Sequence, residues 1–214
     1  MDVVTRARTK YRVPLVLLTT FLGLASFLSA CAARPPRRID DGCAIFDERR
    51  GWYFEAKESY ERWGVPIPVQ LAIIHQESRF QANAKPPRRK ILWILPGPRP
   101  SDAAGYAQAL EGTWDEYRRE SGNGGADRDD FGDAVDFVGW YTARSARELG
   151  IPKDDAFRLY LAYHEGNGGF RRGTHLRKAW LLRTAGGVED RAERYRRQLV
   201  TCEDRFQRRW WEFW

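Results

Sequence analysis

Apolar residues recur at near-helical spacing along most of this chain, and breaks rich in glycine, aspartate or proline cut the pattern into segments. From Ala44, the stretch AIFDERRGWYFEAKESYERWG sets Phe46, Trp52, Tyr53, Phe54, Tyr60 and Trp63 on such a period and stops at Gly64. VPIP (65–68) then opens a second helix, with Pro68 suited to its first turn. Within it, Val69, Leu71, Ala72, Ile73 and Ile74 are apolar nearly all the way round, which predicts a buried helix. Further helical patterns cover 111–120, 131–149, 154–164, 174–184 and 189–211, with breaks at 121–130 and 166–173. The stretch QANAKPPRRKILWILPGPRPSD after Phe80 is irregular and proline-rich, and its apolar centre ILWIL suits a short strand or flap. There is no internal repeat. The expectation is a single, mainly α domain over 44–214, with one proline-rich insertion that can hold a small hairpin.

The first thirty residues follow a different logic. Arg6, Arg8, Lys10 and Arg12 form a basic stretch, followed by an apolar run from Val13 to Leu28. That run is shorter than the ~20 residues a spanning helix needs and suits a secretion signal. It closes on LSAC (28–31), which resembles a bacterial lipobox. The resemblance implies cleavage before Cys31, acylation of its thiol and anchoring to a membrane through the lipid. With Ala32 next in line, it implies sorting to the outer membrane. An uncleaved N-terminal anchor is the plainer alternative. Residues 31–43, polar and proline-containing, are expected to form a tether. Cys43 and Cys202 then remain, an even pair in an exported chain, which suggests a disulfide, although two buried free thiols would also fit.

Composition narrows the class. A chain that is 43% hydrophobic and 14% aromatic is globular rather than disordered. The net charge of +7 falls to +4 without the first thirty residues, a mild excess that suits an anionic polymer or membrane. No recognition helix, zinc finger or aromatic-basic sheet motif supports nucleic-acid binding.

Glu77 is the residue out of place. It lies at i+3 from Ile74 and i+4 from Ile73, over an apolar face, where a lone carboxylate must find partners or keep its proton. HQESRF (75–80), GYAQALEGTW (105–114) and AYHEGNGGF (162–170) follow in that order. Together they resemble the three signature blocks of the soluble lytic transglycosylase family, an E-S-x-F, a G-L-M-Q and an A-Y-N-A-G block. The similarity covers roughly 66–170.

The resemblance implies a lysozyme-like fold, peptidoglycan glycan strands as the partner, no cofactor, and cleavage of the MurNAc–GlcNAc β-1,4 bond with a 1,6-anhydromuramyl end. It makes Glu77 the catalytic acid and Ser78 its companion. Gly105 and Gln108 match the ends of the second block, with Tyr106 and Ala107 where Leu and Met are usual. Tyr163 and Gly166 match the third. His164 and Glu165 stand where Asn and Ala are usual, which puts a local substrate contact in doubt. These residues, from Ser78 to Glu165, are the expected substrate groove.

The chemistry agrees. Breaking a glycosidic bond needs an acid still protonated near neutral pH, which an apolar site supplies. Most glycosidases add a second carboxylate, whereas in this family the sugar's own 6-hydroxyl replaces water, so one acid suffices. Two other readings fit the same residues. One is a hydrolase on this fold with Glu165 as base; the other is a glycan-binding or envelope-assembly lipoprotein without turnover. Glu165 can also be a partner of Arg171 or Arg172. His75, His164 and His175 are too dispersed for a metal site, and His164–Glu165 lacks the second histidine of HExxH, position 168 being glycine. The closing RRWWEFW (208–214) can lie in a membrane interface, stack on sugars or pack on the first aromatic helix, and packing is the expectation.

Overall fold

The structure is a computed structural model and describes residues 34–88, 90–91 and 95–207. The segment expected to be a signal sequence, Cys31 and the terminal tryptophan cluster therefore lie outside the described residues. Seven α-helices are described: α1 Gly42–Glu48, α2 Arg50–Trp63, α3 Ile67–Ser78, α4 Glu111–Ser121, α5 Phe131–Leu149, α6 Ala156–Arg171 and α7 Ala179–Gln207. A 3₁₀ turn, Thr174–Arg177, joins α6 to α7. The proline-rich insertion holds a minimal antiparallel hairpin, Lys90–Ile91 (β1) against Leu95–Pro96 (β2). This is a mainly α, lysozyme-like fold.

α3 is the centre. Its residues Val69, Leu71, Ala72, Ile73 and Ile74 are wholly buried, as its unbroken apolar sequence requires. α7, α5, α2 and α6 pack around it. Even its polar Gln70 is buried, with Nε2 donating to Val65 O (2.7 Å) and Oε1 2.9 Å from Ser59 Oγ of α2. That serine also reaches Val135 O of α5 at 3.1 Å. α2 and α5 come this close because position 139 is glycine: a Cβ there would meet Ser59 Oγ at 2.4 Å and Trp63 Cδ1 at 2.7 Å.

Helix boundaries follow local chemistry. Asp41, Asp130 and Asp155 cap α1, α5 and α6, accepting from Ala44, Asp133 and Arg158 N–H. Gly64, Gly122 and Gly150 end α2, α4 and α5 in the left-handed region.

Three boundaries differ from the sequence pattern. Arg49 (φ −129, ψ 67) divides the first aromatic stretch into α1 and α2, and α1 packs on α7. The expected break between 184 and 189 is absent, and α7 runs through Gly186 and Gly187. Buried Leu181, Ala185, Val188 and Ala192 hold that helix to the core despite the weak propensity of the pair. α6 likewise continues past Gly166 to Arg171, kinked where Gly166 takes φ 72 and ψ 155.

The part of the expected tether that is described lies on the domain. Ile39 O accepts the Tyr195 hydroxyl, and Gly42 N donates to Gln198 Oε1 at 2.8 Å, both partners on α7. Polar composition predicted a free linker, but these backbone groups find partners on α7. Cys43 and Cys202 are bridged, with Cα atoms 6.1 Å apart and 159 residues between them in sequence. Closing so long a loop stabilises by about 5 kcal/mol on the chain-entropy account. Reduction, or Cys202→Ser, is expected to lower the melting temperature by on the order of 10 °C in scanning calorimetry. An unchanged transition would show that the bridge restrains nothing.

Candidate active site

Glu77 occupies the last turn of α3, where the helix dipole and the apolar surroundings both disfavour a negative charge. Burial raises its pKa from 4.5 to about 7, against the lowering effect of a hydrogen bond with the Tyr160 side chain. Tyr163, one turn further along α6, lies in the same electrostatic field. Burial, with Glu77 second, lifts its own pKa well above the usual tyrosine value.

The chain leaves Glu77 sharply. Arg79 (φ 53) and Phe80 (φ 60) are consecutive left-handed residues, a conformation that costs on the order of 1 kcal/mol or more for each non-glycine. Full burial of Phe80, 6.0 Å from both the Trp52 and His75 rings, offsets that cost. The turn carries the chain to Ala84, where the second block is tied on.

Residues Ala104–Ala109 form a tight loop closed by a backbone bridge. Gly105 is indispensable there, because at φ 77 its missing Cβ would lie 2.0 Å from Arg128 O. Gln108 Nε2 donates to Ala84 O (2.8 Å) and to Gly105 O (2.9 Å). The Tyr163 hydroxyl donates to Ala107 O at 2.6 Å. The second and third blocks thus meet through Ala107 and Tyr163, and the second is tied at Ala84 to the chain that leaves the first.

An open pocket of about 260 Å³ lies along this junction, with Gln108, Thr113, Tyr141, Tyr163, His164 and Glu165 among its walls. Glu77 does not line it, but Tyr163 belongs to both. A larger cavity, about 570 Å³, is framed by Pro35–Asp41 with Arg79 and Gln81; neither Glu77 nor Tyr163 lines it.

Several expected groove residues have other tasks. Tyr106 is 1% exposed and sits edge-on to Trp52 and Phe131, both 5.7 Å away, so it is a core residue and not a substrate contact. Ser78 is buried, and its hydroxyl donates back to Ile74 O at 3.2 Å. Gly105 shapes the loop.

Glu165 pairs with Lys178 (2.7 Å) rather than with Arg171 or Arg172, because the 3₁₀ turn after α6 folds Lys178 back onto it. Thr174 donates to its other oxygen, and His164 Nδ1 lies 3.1 Å from Oε1. Burial alone would raise this carboxyl, but the hydrogen bonds from Lys178, Thr174 and His164 outweigh it and hold the pKa at about 2. His75 is buried beside Asp40, and His175 stacks on Phe170, so the three histidines do not converge.

Sequence reasoning missed Tyr160, Lys178 and Thr174. Tyr160 had a signal: it stands three residues before Tyr163, on the same face of a helix. Nothing marked the other two, since the partnership depends on how the chain turns after Arg171.

The described residues thus define a helical domain in which a desolvated acid, Glu77, is flanked by two tyrosines beside an open pocket. A family model described as Transglycosylase SLT domain matches residues 19–202, and the chain belongs to that family. No curated protein and no solved structure matches it.

The acid's pKa has a thermodynamic consequence. Between pH 4.5 and about 7 the folded protein keeps a proton on Glu77 that the unfolded chain has lost. Its contribution to stability therefore falls as pH rises through that window. Glu55, buried beside Asp130 and Asp133, is also raised to about 7 and behaves alike, so the comparison must be with a variant that retains it. Glu77→Gln is expected to match the parent below pH 4.5 and to exceed it by roughly 3 kcal/mol above pH 7 in denaturant unfolding. A pH-independent difference would show that Glu77 is not desolvated.

Proposed function

We propose that this protein is a peptidoglycan lytic transglycosylase that cleaves the MurNAc–GlcNAc β-1,4 bond and leaves a 1,6-anhydromuramyl end. Protonated Glu77 gives its proton to the glycosidic oxygen as the bond from C1 breaks. The resulting carboxylate then takes the proton of the same sugar's 6-hydroxyl as O6 bonds to C1. No water is consumed, and Glu77 ends protonated as it began. A pKa of about 7 suits both halves, since the group must give and accept a proton near neutrality.

The opposite states of two carboxyls carry this reading. Among the described residues Glu165 is the only carboxylate on the pocket wall, and a pKa of about 2 makes it too weak a base to activate water. That favours intramolecular attack over hydrolysis. Gln108 and Tyr163 are the residues best placed to contact the glycan. Glu77→Gln should fold and bind purified sacculi but lose turnover by about 10²–10⁴-fold, whereas Glu165→Gln should be impaired yet active. Mass spectrometry of the parent digest should show muropeptides one water lighter than hydrolysis products. Near-normal digestion by folded Glu77→Gln, or fully hydrated products, would refute the assignment.

We also infer that Cys31 is acylated and holds the domain at the periplasmic face of the outer membrane. LSAC after a short apolar run supports this. Cys31→Ala should yield an uncleaved precursor or soluble protein in cell fractionation, and an unchanged membrane-bound mature form would sink the claim.

A further inference from the structure

The pocket wall at His164 continues into an exposed aromatic. Trp180, in the first turn of α7, lies 5.2 Å from the His164 ring with the two planes at 77°. Nearly half of its surface (49%) faces water. Its neighbour Leu181 is wholly buried and serves the core, so the indole is not needed to dock the helix. Leaving so large an apolar ring in solvent forgoes the stabilisation that burying it would bring.

The ring is nevertheless firmly positioned. Two residues before it, Lys178 pairs with Glu165, and Glu165 holds His164 through Nδ1. Thr174 closes the same network from the 3₁₀ turn, donating to Glu165 and lying 3.0 Å from Gly169 O. Imidazole, carboxylate, ammonium and indole thus form one braced unit spanning residues 164–180, with its imidazole end on the pocket wall.

We infer that Trp180 and His164 form a sugar-binding subsite that extends the pocket from the third signature block onto the first turn of α7. The open face of the indole would take the apolar C–H face of a pyranose. With Nδ1–H given to the Glu165 carboxylate, His164 Nε2 is left as an acceptor for a sugar hydroxyl. The ligand is an uncharged sugar ring of the same strand rather than a peptide carboxylate, since Glu165 already takes up the charge of Lys178. This inference rests on the glycan-cleaving reading above.

Its test uses Glu77→Gln protein as the non-cleaving parent, with short and long GlcNAc oligomers as probes and tryptophan fluorescence and calorimetry as readouts. Trp180→Ala should weaken binding of the long oligomers about tenfold and leave the shortest unaffected. Trp180→Phe, which keeps an aromatic face, should restore most of the loss, and Trp180→Leu, which keeps apolar packing without that face, should not. Trp180→Gln, with unchanged thermal melting, guards against misfolding of the alanine variant. Equal affinity of Trp180→Ala and parent for every length would overturn the subsite and leave the proposed reaction standing. A parent that binds no oligomer and no sacculus would overturn both.

Discussion

A carboxyl at the end of a helix that has no face to water is the constraint on which the rest of this structure turns. α3 is apolar on every side because four helices surround it, and Glu77 inherits that environment in its last turn. Desolvation and the helix C-terminus both hold the proton on, and only the contact with Tyr160 works the other way. The left-handed pair Arg79–Phe80 belongs to the same arrangement. It turns the chain away as soon as the acid is placed, and the burial of Phe80 makes the turn affordable.

The second carboxyl is handled in the opposite way. Glu165 is also enclosed, with its side chain 4% exposed, yet it is surrounded by donors. The same burial that keeps Glu77 neutral strengthens the hydrogen bonds that keep Glu165 charged. One helix serves both. Tyr160 and Tyr163 of α6 face Glu77 from the turns before Gly166, while the kink and the 3₁₀ turn beyond it return Thr174 and Lys178 to Glu165. Two glutamates near one pocket are thereby fixed in different protonation states, and only one of them can exchange a proton near neutrality.

Glu77 was legible in the sequence because the run Val69–Ile74 is too apolar for a carboxylate to follow without a purpose. Gln108 and Tyr163 were legible from the order of three short blocks. What failed was the inside-or-outside assignment of residues within a block. Tyr106 stands between a glycine and an alanine in a loop of irregular geometry, so no period of three or two marks its direction; only the rings of Trp52 and Phe131 do. Ser78 shows the same limit, since a serine beside a desolvated carboxyl reads as polar and yet gives its hydroxyl to its own helix. Helix lengths failed where glycine was given too much weight. Gly166 kinks α6 without ending it, and Gly186–Gly187 leaves α7 whole because buried residues on both sides supply what local propensity lacks. Arg171 and Arg172 were expected beside Glu165 because they are near it in sequence, whereas the 3₁₀ turn Thr174–Arg177 brings Lys178 to it instead.

α7 joins features that are far apart in sequence. At 29 residues it is about 43 Å long. Its first turn carries Trp180 beside His164, its middle walls α3, and its last turns hold the residues that receive the N-terminal segment: Tyr195, Gln198 and Cys202. Segment 34–43 was expected to be a tether because its polar composition offers nothing to a core. Composition misleads there, since the segment is held by backbone hydrogen bonds and a disulfide, neither of which needs apolar side chains. The adjacent glycines Gly186 and Gly187 fall about two turns into this helix, where buried Leu181, Ala185, Val188 and Ala192 hold it to the core. The cross-link at Cys202 therefore fastens the far end of the same helix whose first turn carries the exposed Trp180 and whose length packs on α3, the helix of the acid.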